Sequence, residues 1–515
     1  MAYSILIKNG LIADGNGGEP FRGDIAISDD KIKDIGPNLG ESAEKIVEAG
    51  GLCVSPGFID LTNHSDVYGT LFFAPLQESL LAQGVTTILV GNCGQSLAPL
   101  ITTNAINDLE RWTTGFSVPV DWTTVKDFYK TLGKIGTGVN VATLVGQETL
   151  EKNAENIESA IMLLYYALNE GAWGLSSNFN FALWTQALEY ETLELLKVIQ
   201  KHGALYKVHL RDEGKDFLPS LATVLRLSRF SGARTLISHF KAVGRDAWKN
   251  FNKALDMIKN AKQDGLNVSF DFFPYLRTGS MLVSLLPAWA KSGSREEILK
   301  RVSDKYVREQ ILDGLYKMTL HPERIMIASA LNNKSIVGKT LKEISENAGI
   351  TPEELILEIL KINQLNATIF GRTVNQKNLL RAAAYPGSVV ASDGAGYSLA
   401  FKNSGDLAHP RSFGAFPRFL SLIAPKSGIS LGEAVKKMTS LPAEKLGFKA
   451  RGLIAKNYIA DIAIFANNFK DQGTYKNPYK YATGLKYLIL GGRLSIANGV
   501  ISSTRNGKIL IRNKS

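Results

Sequence analysis

Two hydrophobic rhythms alternate along the chain. Both ends read with period two in short runs: SILIKNGLIADG, GDIAISDDKIKDIG and EKIVEAGGLCV over residues 4–54, then RGLIAKNYIADIAIFA and LKYLILGGRLSIANGVIS over 451–502. Turn chemistry at NGG and SDDK punctuates them as hairpins. The middle carries continuous apolar runs at 53–59, 86–92, 139–146, 172–177, 204–210, 234–239, 267–273 and 388–393, the pattern of parallel strands buried on both faces. Between them lie 3.6-residue periods such as ESAIMLLYYALNEG and YETLELLKVIQKHG, the second closed by Gly203 at the C′ position. Eight strands, seven crossovers and a closing helix predict an α/β fold of the TIM-barrel (β/α)8 type. The two strand-rich ends predict one small β-sandwich built from both termini.

The domain division that follows is a β-sandwich from 1–54 and 446–515, a catalytic barrel from 55–283 and 386–445, and an insertion over 284–385 before the last barrel strand. The insertion reads as helical, with entries at Ser294 with Glu297 and at Thr351 with Pro352 and Glu354. Placed above the C-terminal face, it serves either as a lid or as packing on the barrel rim.

Charge and cysteine usage narrow the partners. The formal charge of +11 favours anionic ligands by steering, while the Lys and Arg residues are scattered and form no basic run interleaved with aromatics. A small anionic substrate is therefore expected, and nucleic acid is not. Two cysteines, Cys53 and Cys93, imply no disulfide framework and point to a reducing compartment. No stretch reaches the length of a membrane span and the first residues lack a signal-peptide pattern, so the expectation is a cytoplasmic enzyme without a membrane partner. No element of the sequence fixes an oligomeric state.

Candidate chemistry sits at strand ends, where barrel enzymes place their sites. His64 follows PGFID, Cys93 lies in GNCG, His209 in HLRDEG, His239 in SHFK and Asp393 in ASDG. Cys93, His209 and His239 supply one thiolate and two imidazoles, which leave a fourth zinc position open. A carboxylate at Asp393 can take a proton from water and hand it to a leaving amine. Taken singly each has a plainer reading, a buried core Cys or His or an Asp turn before Gly394.

The phrases PGFID, GVTT, GNCG with SLAP, HLRDEG, SHFK, ASDG, HPRSFGAFPRFL, EAVKKMTSLPAEKLG and ADIAIF run in order over nearly the whole chain. Together they resemble the N-acyl-D-amino acid deacylases (D-aminoacylases) of the amidohydrolase superfamily. The resemblance implies zinc-dependent hydrolysis of N-acyl-D-amino acids. It implies zinc on Cys93, His209 and His239, Asp393 as acid and base, and Arg411 of HPRSFG gripping the substrate α-carboxylate in a bidentate pair. Tyr275 and Ser280, in FPYLRTGSM, resemble the residues that complete this grip, in a segment one residue longer than usual.

Two positions depart from the family. Related deacylases carry His-x-His where this chain has Thr62, Asn63 and His64, so a weak second metal between His64 and Asp393 has lost a ligand. One tight zinc is expected, with His64 left as a catalytic hydrogen-bonding residue. Gln147 stands where relatives often have His, and is expected to bind the substrate carbonyl without shuttling a proton. Arg211, Asp212 and Glu213 are expected to tie down their loop; His409 could line the pocket, but the plainer reading places it outside. Two other readings stand beside this one. A cyclic amide hydrolase of the hydantoinase or dihydroorotase type is opposed by Cys93 and by the absence of a lysine placed like a bridging carbamate. A catalytically impaired relative acting as a binding protein is suggested by Thr62 and Gln147.

Overall fold

The computed structural model describes residues 3–40, 42–102, 120–180 and 184–513. Its centre is a barrel of eight parallel strands: β1 (Phe58–Asp60), β2 (Val85–Val90), β3 (Asn140–Thr143, continued by Val145–Gly146), β4 (Gly174–Asn178), β5 (Leu205–His209), β6 (Arg234–Ile237), β7 (Val268–Phe272) and β8 (Val389–Val390). Ladders join β1 to β2 to β3, and β3 through β8 in order. The ring closes just above β1 and β8, where Asn63 bridges Gly394 and Asp393 N–H donates to Thr62 O at 2.9 Å. Asp60, wholly buried under this seam, accepts from Asn63 Nδ2 at 2.9 Å and from the amide and hydroxyl of Ser392. Closure therefore delivers His64 and Asp393, from opposite ends of the barrel sequence, to one place.

Both strand faces are apolar because both are covered. Ile59, Leu61, Leu89, Leu144, Leu205 and Leu236 fill the interior, while Phe58, Ile88, Val208, Ile237, Phe270 and Phe272 meet the surrounding helices. Helix Ile157–Asn169 starts in a capping box at Asn156, and helix Gln186–Lys201 ends before Gly203 at φ 56°. The expected strand 53–59 is two strands. Cys53–Pro56 pairs antiparallel with Ile462–Lys470, and the chain turns at Gly57 into β1. A Cβ at Gly57 would lie 2.3 Å from Thr86, so only glycine allows this approach.

The strands of the two termini share one continuous sheet of nine, rather than the two stacked sheets of the expected sandwich. Strand Tyr3–Ile12 bonds Phe21–Ser28 along one edge, and Ala43–Glu48 followed by Cys53–Pro56 along the other. This branching lets the sheet curl until Ile32 N–H reaches Tyr458 O at 2.9 Å, enclosing Ile5, Ile25, Ile27, Val54, Ile462 and Ile489.

The region between β7 and β8 has its own apolar core, including Leu282, Ile298, Ile327, Ile356, Leu360 and Ile369. Helices Arg295–Ser303 and Pro352–Ile362 begin in capping boxes at Ser294/Glu297 and Thr351/Glu354, where the sequence places them. The region also contains a three-stranded antiparallel sheet, Thr278–Met281, Ala367–Gly371 and Ile325–Ala330, which the helical reading omitted. Ser280 lies on the first of these strands, so it reaches the barrel mouth from the inserted sheet. No helix among the described residues is long and apolar enough to cross a membrane.

Candidate metal centre and substrate cavity

Five loops leaving the barrel at its C-terminal face build the site. Cys93, His209 and His239 offer Sγ and two ring nitrogens that all lie within 4.8 Å of one another. Cys93 Sγ and His239 Nε2 are 3.5 Å apart, and the two imidazoles meet edge to face at 4.3 Å between centroids. Cys93, His239 and Asp393 all have left-handed backbones, at φ 53°, 38° and 52°. Each such non-glycine residue costs on the order of 1–3 kcal/mol, and strain of this kind gathers where side chains are aimed for function. Gly91, at φ 75°, lets the loop carrying Cys93 pass β3: a Cβ there would strike Leu144 O at 2.3 Å.

The donors suit a metal. Burial, joined for His239 by the neighbouring Lys241 charge, pushes His209 and His239 down to about 3, so both are neutral with a free lone pair. His239 Nδ1 lies 3.2 Å from Glu213 Oε1, which also accepts from Lys241 Nζ at 2.6 Å. Glu213 and Lys241, whose Nζ lies 3.1 Å from the same Nδ1, together hold the ring with Nε2 toward Cys93, a carboxylate-braced arrangement that supports imidazole ligands. Glu213 is thus more than the loop anchor the sequence suggested. Lys241, absent from the sequence reading, stands beside it on the cavity wall; its position two residues past His239, on the same side of the exiting chain, was the available signal.

Asp393 is 6% exposed and carries two partners: Oδ1 faces His64 Nε2 at 3.2 Å, and Oδ2 accepts from Arg411 at 2.5 Å. Burial would push this carboxyl up, but Arg411 foremost, with His64, holds it well below the usual carboxylate range. His64 is also buried, which opposes its protonation, yet its contacts with Asp393 and Cys93 raise it to about 10. A second metal between His64 and Asp393 does not fit this arrangement. Thr62 Oγ1, at the position where related deacylases have a histidine, is instead spent between Asp271 Oδ2 at 2.8 Å and the Lys207 ammonium.

These residues border a cavity of about 410 Å³. Its floor is Cys93, His209, His239, His64 and Asp393; Arg411, Lys241, Ser280 and Tyr68 stand at its sides, and Met281, Leu285, Met318 and Ile325 of the inserted region form an apolar wall. Arg411 rests on the Phe273 ring at 5.0 Å, and its Nε is buried without a partner. His409 accepts from Arg411 N–H at 3.1 Å on Nδ1 and faces Arg277 O at 3.0 Å with Nε2, which sets the loop that aims the guanidinium.

Two expected substrate contacts are not brought to the cavity. Gln147 is buried behind the strands, taking a hydrogen bond from Ser177 at 2.6 Å and donating to Glu151 and Thr192 at 3.0 and 3.1 Å. Its place at the start of helix Gln147–Asn153 turns it sideways from the mouth. Tyr275 is 2% exposed, and its hydroxyl lies against Pro410 O at 3.3 Å and Asp471 Oδ2 at 3.5 Å, away from the cavity. A lysine does lie near the centre but, as the sequence predicts, it is not placed as a bridging carbamate. Lys207 Nζ sits among four acceptors, Leu61 O, Thr62 Oγ1, Asn92 Oδ1 and Asp271 Oδ2, so it is an ammonium and not a carbamate, whose oxygens would face oxygens.

No family model matches the chain. The D-aminoacylase of Alcaligenes xylosoxydans xylosoxydans is 27% identical over 99% of this chain and 98% of its own length. A solved D-aminoacylase with a binuclear metal centre, described as activated by one metal and attenuated by the second, is similar at TM-score 0.82 and 26% identity, over 99% of this chain and 100% of its own. The fold is shared as well, at TM-score 0.82 and 24% identity over 99% and 100% of the two chains, with an N-acyl-D-glutamate deacylase from Bordetella bronchiseptica solved with zinc and a phosphonate mimic of the tetrahedral intermediate. From end to end, in sequence and in fold, the chain is similar to D-aminoacylases and N-acyl-D-amino acid deacylases, which act on linear amides.

Proposed function

We propose that this protein hydrolyses the amide bond of N-acyl-D-amino acids at a single zinc, releasing a carboxylate and a D-amino acid. The observation that carries the reading is the convergence of Cys93, His209 and His239 within 4.8 Å on the floor of a cavity that also presents Asp393 and Arg411. One thiolate and two neutral imidazoles would hold zinc and leave a position free. When bound, the metal would polarise the amide carbonyl and lower the pKa of water.

The remaining work falls to side chains. Asp393, kept ionised by Arg411 and His64, takes a proton from the water that adds to the carbonyl carbon. It returns that proton to the amide nitrogen as the C–N bond breaks. His64 orients the carboxylate through Oδ1. Arg411, with Nε unpaired and burial to limit screening, suits the substrate α-carboxylate. The apolar wall from Met281, Leu285 and Met318 faces the side chain or the acyl group. With carboxylate and carbonyl each pinned, one direction is left for the side chain, and the similarity to D-aminoacylases supports the D hand.

The test is amino acid release by zinc-replete protein from matched N-acetyl-D- and N-acetyl-L-amino acids, alongside hydantoins and dihydroorotate. Selective release from the D series is expected. Equal or better turnover of the L series or of the cyclic amides overturns the reading.

A further inference from the structure

Lys207 is a charged side chain with no exposed surface, set inside the barrel two residues before His209 on β5. Period-two alternation puts both on the interior face, with Lys207 about 7 Å below the ligand. Its Nζ donates to Leu61 O at 2.7 Å, to Thr62 Oγ1 and to Asn92 Oδ1 at 2.8 Å, and lies 3.1 Å from Asp271 Oδ2. Each partner adjoins a site residue. Thr62 precedes His64 by two positions, Asn92 precedes Cys93, and Asp271 accepts the backbone N–H of His239 at 2.6 Å through its other oxygen. One ammonium therefore ties the loops of His64, Cys93 and His239 to the strand of His209.

Thr62 is also where related deacylases have the first histidine of His-x-His. Here a hydroxyl that accepts from Lys207 and donates to Asp271 takes the place of that imidazole. A positive charge is thus built covalently into the floor beneath the His64 and Asp393 side of the centre.

Resting on the single-metal reading above, we propose that the Lys207 ammonium is a fixed cation that stands in for the second metal: it neutralises Asp271, orders the loops and repels a further divalent ion, making the centre mononuclear by construction. The consequence is that an excess of metal does not fill a second site, unlike the binuclear D-aminoacylase to which the chain is similar. Restoring histidine alone is not enough, because the ammonium remains.

The experiment counts bound zinc after equilibration with excess zinc and desalting, by elemental analysis, in the full chain. Wild type and Thr62→His should each retain one equivalent, and Thr62→His with Lys207→Ala should retain two. Two equivalents in wild type or in Thr62→His overturns the proposal, as does one equivalent in a folded double variant. If the double variant does not fold, Thr62→His decides alone, since Lys207 and Asp271 stay paired in it. These counts involve no substrate, so failure to hydrolyse N-acyl-D-amino acids would reject the function proposed above and leave this assignment standing.

Discussion

Replacing Arg411 by Met perturbs two things at once, and the structure says how to separate them. The guanidinium is 5% exposed, so its pairing with a substrate carboxylate is little screened, and its unpaired Nε leaves capacity for that bond. Loss of one partner from a buried charge pair costs about 2–5 kcal/mol, and a middle value of ~3 corresponds to roughly a 10²-fold fall in kcat/KM. Arg411 is also the strongest of the charges that hold Asp393 low. Without it the Asp393 carboxyl rises, protonates at higher pH, and loses its capacity as a base as pH falls through the new value. The acid limb of the rate profile therefore moves up in Arg411→Met.

The assay is amino acid release from an N-acetyl-D-amino acid and from its α-carboxamide between pH 5 and 9, with zinc content measured alongside. On wild type, the carboxamide should lose about as much as the substitution does, roughly 10²-fold. On Arg411→Met near the alkaline plateau, it should lose less than about tenfold more, because both changes delete one contact. Equal losses of carboxylate and carboxamide substrates on substitution would refute the reasoning and leave Arg411 as a partner of Asp393 only.

Other consequences are testable with simpler tools. Asp393→Asn should keep the zinc and the fold and lower kcat by at least ~10²-fold, the low end for general acid-base catalysis; unchanged turnover would move proton transfer elsewhere. Burial pushes the Cys53 thiol up to about 12, so alkylation should modify no thiol in zinc-loaded native protein and only Cys93 after chelation; labelling at Cys53 contradicts this. Gln147→Leu should lower stability by about 1–3 kcal/mol through the Ser177, Glu151 and Thr192 partners it abandons, while kcat/KM changes less than threefold; a large kinetic effect would restore its substrate role.

The barrel and its five strand ends were legible because a strand buried on both faces reads as an apolar run, and the residue after it is the first that can afford polarity. That logic failed where apolarity is uninterrupted for another reason. Residues 53–59 are buried throughout but serve two sheets, and the Pro56–Gly57 pair was the only punctuation. The inserted sheet was hidden because TGSM, its first strand, has no β-branched alternation, and its order comes from pairing with Ala367–Gly371. Direction was a second blind spot. Sequence places Gln147 and Tyr275 near the mouth yet cannot say that the first turns into a helix start and the second toward Asp471. Lys207 was readable in principle: a lysine within the apolar run LYKVH, in phase with His209, has nowhere to point but the barrel interior.

The central claim is that one metal on Cys93, His209 and His239 suffices for hydrolysis of an N-acyl-D-amino acid. Zinc added stepwise to metal-free protein, with release of a D-amino acid from its N-acetyl derivative followed at each step, tests it most directly. Activity should rise linearly and break at one equivalent, and Cys93→Ala should show no such rise. Activity that appears only beyond one equivalent, or that is full in the metal-free protein, would contradict the account.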